Sequence, residues 1–236
     1  MNALKYIQDT YKVNINQKRQ PVEIPNTTRE TLAQMFADLG YKIGAEVGVE
    51  QGLYSELICQ KNPGVKLFCI DAWTAYKGYR DHTGQAKLDS FYEITKERMK
   101  PYNAELIRGF SLDVVNQFED DSLDFVYIDA NHEFVHVVED IAAWERKVRV
   151  GGILAGHDYI RRKTNGYLMH VPMAIHGWCE SYQVKPLFVL GRKEAKANLN
   201  PKRELRDSTR SWFFVKPPKD PMRPGWNGWE KPLDNK

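Results

Sequence analysis

The stretch from Ser122 to Tyr159 sets the tightest limit on what this chain can fold into, because it reads as strand, helix and strand in one run. Leu123 to Ile128 is a short apolar segment rich in β-branched and aromatic residues, the pattern of a strand buried on both faces. Asp129 closes it, at the carboxyl end of a parallel strand. From Phe134 onward, Val137, Val138, Ile141, Ala142, Trp144 and Val148 recur mostly at three- and four-residue intervals, a helical stripe. Gly151-Gly152 end that helix, and Ile153 to Ala155 form a second buried strand. A right-handed crossover brings His157 and Asp158 to the sheet edge from which Asp129 emerges. Two carboxylates, Asp129 and Asp158, and two histidines, His132 and His157, thus meet in one crevice.

Upstream, residues 1–26 are polar and interrupted by Pro21 and Pro25, which reads as a surface arm. Thr27-Thr28-Arg29-Glu30 has the Thr-x-x-Glu form of a capping box, and Leu32, Met35, Phe36 and Leu39 then share a helical face before Gly40. Ile43 to Val49 is a strand carrying Glu46-Val47-Gly48-Val49-Glu50-Gln51-Gly52, with a helix from about Tyr54 to Lys61 behind it. Glycines at such a turn either admit a ligand to the backbone or only relieve crowding, and spacing alone leaves both open. Lys66 to Ile70 is the next strand and ends in Asp71. A carboxylate at that point, ~20 residues beyond the glycines, suits the two hydroxyls of a ribose.

Ala72 to Ala86 is an aromatic and cationic loop with Trp73, Tyr76, Lys77, Tyr79 and Arg80, either a lid or a solvated connection. A helix from Lys87 to Lys100 and a strand from Glu105 to Arg108 follow, then Gly109-Phe110-Ser111, where a group can meet an adenine or Ser111 can cap a short helix to Phe118. Ile160 to Val171, with Arg161, Arg162 and Lys163, reads as a flexible basic loop, and Pro172 to Tyr182 as a helix. Leu187 to Leu190 and Trp212 to Val215 read as strands joined by an exposed charged hairpin from Arg192 to Arg210. The chain therefore divides into an arm and helix (1–40), one domain (41–216) and a Pro- and Trp-rich tail (217–236) that straps either its own domain or a neighbour, leaving a homo-oligomer open.

With 236 residues and 42% hydrophobic content there is material for one well-buried α/β domain. A net charge of +3 demands no nucleic-acid partner. Cys59, Cys69 and Cys179 are odd in number and mostly set in apolar segments, as in reduced core thiols of a cytoplasmic protein. No run approaches the ~18 apolar residues of a membrane span, so no membrane partner is expected.

Taken together, Glu46-x-Gly48-x-x-x-Gly52, Asp71, Tyr127-Ile128-Asp129-Ala130-Asn131-His132-Glu133-Phe134 and Gly151-Gly152-Ile153-Leu154-Ala155-Gly156-His157-Asp158-Tyr159 resemble the class I S-adenosylmethionine-dependent methyltransferases. The nearest resemblance is to the macrocin O-methyltransferase group and, by fold, to catechol O-methyltransferase, over residues 40 to 216. It implies a Rossmann-like α/β sheet of seven strands, mostly parallel with the last antiparallel, and helices on both faces. Implied around the S-adenosylmethionine cofactor are Glu46, Gly48, Val49, Gly52, Asp71, Ala72, Trp73, Ser111 and Asp129, with Asp71 on the ribose. Also implied is a divalent cation on Asp129, His157 and Asp158. Mg²⁺ prefers the two carboxylates and Mn²⁺ accepts the histidine more readily; without a metal, His132 or His157 serves as the base. The expected catalytic groups are then Asp129, His132 and His157, and the reaction is O-methylation of a small-molecule or sugar hydroxyl. The loops at 72–86 and 160–171 would select that acceptor.

Two other classes fit parts of the sequence. His132-Glu133-Phe134-Val135-His136 matches the H-E-x-x-H zinc hydrolase motif, although it follows directly on a buried strand and has no third ligand at the usual spacing. A nucleotide-cofactor fold without methyl transfer is the other: a dehydrogenase, for which the tighter G-x-G-x-x-G turn is lacking, or a non-catalytic S-adenosylmethionine-binding protein.

Overall fold

The structure, a computed structural model, describes residues 1–76, 84–164, 167–191 and 209–218. Lys77, Tyr79, Arg80, Asn165, Gly166, most of the expected charged hairpin and nearly all of the tail lie outside the described residues.

The apolar runs become strands of one mixed sheet. In chain order these are β1 (Val22–Ile24), β2 (Ile43–Val47), β3 (Lys66–Asp71), β4 (Ala104–Arg108), β5 (Leu123–Ile128), β6 (Val148–Gly156), β9 (Leu187–Leu190) and β10 (Trp212–Val215), with β7 (Arg161–Thr164) and β8 (Tyr167–His170) forming a separate hairpin. Across the sheet the order is β1-β9-β10-β6-β5-β2-β3-β4, and only β10 runs antiparallel to its neighbours. The reversal of strand order at β2 and β5 opens a crevice at their carboxyl ends, where open α/β sheets bind ligands.

Helices cover both faces, as expected. Helix α1 (Ala3–Tyr11), α2 (Arg29–Asp38), α3 (Leu53–Lys61) and α4 (Gln85–Met99) belong to one layer, and α5 (Ser111–Val114), α6 (Phe134–Glu145) and α7 (Val171–Ser181) to the other. Phe36 of α2 stacks on Phe125 of β5 at 4.0 Å between centroids, and a side chain on Gly44 would overlap the Phe125 ring. On the opposite face Val137, Ile141 and Trp144 of α6 pack with Val126 and Leu154.

Four expectations need correction. The sheet has eight strands among the described residues, because Val22-Glu23-Ile24 pairs in parallel with β9. Its alternation is only three residues long and lies between Pro21 and Pro25, too short to stand out as a strand. Nor are residues 1–26 merely a polar arm: Asn2 Oδ1 accepts the Lys5 N–H at 2.9 Å to start α1, which buries Ala3 and Ile7. Third, the basic segment after Tyr159 is the β7–β8 hairpin, with Arg161 paired opposite His170. The capping box is also displaced by one residue. Thr28 N–H donates to Thr31 Oγ1 at 3.2 Å, while the Thr27 hydroxyl donates to the Ile24 carbonyl and Glu30 pairs with Lys61.

Candidate active site

The turn after β2 is built by hydrogen bonds that converge on it. Gly48 N–H donates to the Ile70 carbonyl at 2.8 Å, and Asp129 N–H donates to the Val47 carbonyl at 2.7 Å. Gly48 has φ of +90°, and a Cβ there would run into the carbonyl of Asp129. The glycine therefore lets two strand ends approach, and this close approach brings the cofactor-side turn up against the acid of β5. Gly52, with φ of +74°, precedes α3, and Thr95 Cγ2 would lie 3.0 Å from an added Cβ.

Asp71 clamps the same turn from β3. Its Oδ2 accepts the Val49 and Glu50 N–H groups at 3.0 and 2.9 Å, and its Oδ1 accepts the Trp73 N–H at 2.8 Å. Burial raises its carboxyl, opposed by those same N–H groups. A carboxylate has about four acceptor directions, so after these three bonds about one, on Oδ1, is left to face a ribose hydroxyl. Trp73 is buried, and its indole N–H donates to the Glu50 carbonyl at 2.8 Å, locking the loop that leaves β3.

A cavity of about 1240 Å³ runs along this edge. Glu46, Gly48, Val49, Asp71, Ala72, Trp73, Ser111 and Asp129 all line it, whereas Gly52 stands outside that set as the residue that starts α3. At one end Phe110 meets Tyr76 edge to face at 5.4 Å, beside Ser111. Ser111 is tied to α6: its hydroxyl donates to Asp140 and accepts the Trp144 indole N–H at 2.8 Å.

Glu46, buried within β2, also lines the cavity. Burial pushes its carboxyl up to about 8, only partly opposed by the Ser55 hydroxyl that donates to it, so it is largely protonated at neutral pH. A carboxyl whose folded pKa exceeds its unfolded 4.5 destabilises the fold as pH rises from about 4.5 to about 8. Glu46→Gln is expected to flatten that part of the stability-against-pH curve in urea unfolding; an unchanged slope would mean that the buried carboxyl is already ionised.

At the other end four side chains meet. His132 Nε2 lies 2.9 Å from Asp158 Oδ2 and 3.5 Å from Asp129 Oδ1. His157 Nδ1 lies 3.4 Å from Asp158 Oδ1 and 3.6 Å from Asp129 Oδ2, and the Thr209 hydroxyl donates to Asp158. Asp158 is held at φ of +52°, a left-handed conformation that Asp tolerates better than most residues. Burial alone would lower His132, but its bonds to Asp129 and Asp158 overcome this and raise it to about 10. Burial likewise opposes the charge on Asp129, yet the neighbouring imidazoles hold its carboxyl well below the usual range.

Ligand atoms of Asp129, His132 and Asp158 lie within 4.8 Å of one another, a spacing that one divalent ion can bridge. In this trio His132 stands where the expected cation set had His157. Two carboxylates and one imidazole suit Mg²⁺ less well than Mn²⁺. The zinc hydrolase reading finds no support here. His132 precedes α6 and faces Asp129 and Asp158, while His136 lies on α6 with Nδ1 3.4 Å from Glu139.

Comparison with known proteins agrees with this geometry. Residues 45–159 match the Methyltransferase domain family, Methyltransf_24. No curated protein matches the chain. Among solved structures, an O-methyltransferase from Bacillus cereus in complex with SAH superposes with a TM-score of 0.53 at 14% identity, covering 91% of this chain and 89% of its own. TomG from Streptomyces achromogenes, an O-methyltransferase involved in tomaymycin synthesis and solved with SAM, gives 0.51 at 15% identity, covering 91% and 89%. At such identities the likeness is one of fold, and the fold is that of the class I methyltransferases.

The segment that matches the family, residues 45–159, contains the Gly48 turn, Asp71, Asp129, His132, His157 and Asp158. Two residues outside it enter the same cavity and were not singled out by sequence: Arg29 and Thr209. Arg29 looked like part of a helix cap, and Thr209 like part of a charged connection. Neither lies in a pattern that marks a site, because each reaches the cavity through tertiary packing.

Proposed function

We propose that this chain transfers a methyl group from S-adenosylmethionine to a hydroxyl of a small-molecule or sugar acceptor, with a divalent cation on Asp129, His132 and Asp158. The observation that carries this reading is the continuity of one cavity from the Asp71 and Gly48 turn to that trio. Methyl transfer breaks a carbon–sulfur bond as a carbon–oxygen bond forms, so the acceptor oxygen must lie in line and lose its proton. A bound cation supplies a Lewis acid that orients the hydroxyl and lowers its pKa. Asp129 and Asp158 orient both imidazoles. With His132 on the cation, His157 is the imidazole left to take the acceptor's proton. Phe110 and Tyr76 flank the adenine end, and Asp71 receives the ribose.

A glycan or small acceptor, with no nucleic acid or membrane partner, fits a pocket of this size better than a polymer. No helix among the described residues is long and apolar enough to cross a membrane. A cytoplasmic location is proposed on the cysteines, all three of which are buried free thiols. The homo-oligomer rests on the tail alone, which lies mostly outside the described residues.

Calorimetry with S-adenosylmethionine and SAH, first in EDTA and then with Mg²⁺ or Mn²⁺, tests the reading. Micromolar binding is expected, with Mn²⁺ binding lost in Asp158→Ala. Absence of cofactor binding under every condition would sink the proposal, and binding without turnover on any hydroxyl acceptor would identify a non-catalytic binder.

A further inference from the structure

We propose that Arg29 is the anchor for the carboxylate at the amino-acid end of S-adenosylmethionine, an inference that rests on the cofactor reading above. Arg29 is the first residue of α2 and is 6% exposed. Both features are unfavourable for a cation. The amino end of a helix carries partial positive charge and favours acids, and burial removes the hydration of a guanidinium. A position that opposes both rules points to a task in the site.

The surroundings indicate the task. The guanidinium carbon lies 5.4 Å from the centre of the Tyr54 ring, and the Tyr54 hydroxyl donates to the Arg29 carbonyl at 2.9 Å, so one residue holds both the side chain and the backbone. Arg29 lines the cavity with Glu46, Tyr54, Asp129 and His157, beside the end of β5, whereas Phe110 and Ser111 follow β4 with β2 and β3 lying between. Its Nη1 lies 3.5 Å from Asp129 Oδ2.

The cofactor is an adenosine joined through a sulfonium to an amino acid. With adenine at Phe110 and the ribose at Asp71, the amino-acid portion extends toward Glu46, Asp129 and Arg29. That portion carries a carboxylate and an ammonium on one carbon. Arg29 and Asp129, held side by side, offer the complementary cation and anion. A guanidinium receives a carboxylate through two parallel N–H groups, which fixes its orientation as well as its charge.

The same contact admits a purely structural role, in which Arg29 only neutralises Asp129. Binding of two ligands separates the two roles. SAH carries the amino-acid portion, and 5′-methylthioadenosine has the same adenosine and sulfur without it. In Arg29→Met, SAH affinity is expected to fall about 10- to 100-fold, the range for losing a charge-assisted pair, while methylthioadenosine affinity stays within about twofold. Arg29→Lys, which keeps the charge and loses the fork, is expected to give a smaller loss for SAH alone. An equal loss for both ligands would overturn the inference in favour of the structural role, as would no loss for either. Unaltered methylthioadenosine binding also certifies that each variant is folded. Wild-type protein that binds neither ligand would overturn the cofactor reading itself, and this inference with it.

Discussion

Gly48→Ala is expected to lower stability by about 2–5 kcal/mol and to abolish cofactor binding. Two costs add at this position. The backbone stands at φ of +90°, which an L side chain resists, and the new Cβ would enter the Asp129 carbonyl. Relief requires β2 and β5 to separate at their carboxyl ends, which breaks the bond from Asp129 N–H to the Val47 carbonyl and shifts the Asp129 side chain with it. Gly64 supplies the control. It has φ of +84° but nothing within 4 Å of an added Cβ, so Gly64→Ala pays only the backbone term, about 1–2 kcal/mol, and retains SAH binding. Chemical denaturation and calorimetry on the two variants check this. Equal losses in both would show that strain at the turn, and not contact with β5, accounts for the role of Gly48.

That contact explains what was legible in the sequence and what was not. The strands β2, β3 and β5 each carry an apolar run ended by an acid or a glycine, and strand ends in parallel sheets fall at one edge whatever lies between them. Gly48, Asp71, Asp129 and Asp158 follow from that logic, Glu46 only from the family resemblance, and all five line one cavity. Distances within the edge were not available to it. Whether His132 or His157 completes a trio with the carboxylates depends on the left-handed turn at Asp158 and on where the chain leaves β5, which no spacing rule encodes. The Asp71 reading was incomplete for a similar reason: three backbone N–H groups already converge on the carboxylate, so it builds the turn as well as facing the ligand. Arg29 and Thr209 escaped because their elements are distant in sequence and reach the cavity only once α2 and the approach to β10 have packed. Val22-Glu23-Ile24 escaped because three residues cannot display a period.

Asp129→Asn is expected to cost about 2–3 kcal/mol of stability near pH 6 without metal, and to reduce methyl transfer at least a hundredfold. The carboxylate faces Arg29 at 3.5 Å and His132 at 3.5 Å, and its side chain is 21% exposed, so removing its charge leaves two largely buried cations facing an uncharged amide. The sign of the pH dependence follows from the shifts. His132, raised from 6.5 to about 10, contributes stability that is fully present below about pH 6.5 and is lost as pH rises through about 10. Asp129, lowered, contributes stability that is present above its unfolded pKa near 3.8 and lost as pH falls through its depressed folded value. Urea unfolding of the wild type in EDTA should therefore show stability declining between about pH 6.5 and pH 10, and the Asn variant should decline less, because Asp158 alone then holds the imidazolium. A variant curve parallel to the wild type would show that Asp129 does not hold the His132 charge. A cation reverses the requirement, since His132 must give up its proton to become a ligand. Mn²⁺ affinity should accordingly rise with pH up to about 10 in the wild type and level off at lower pH in the variant, where the His132 pKa has fallen.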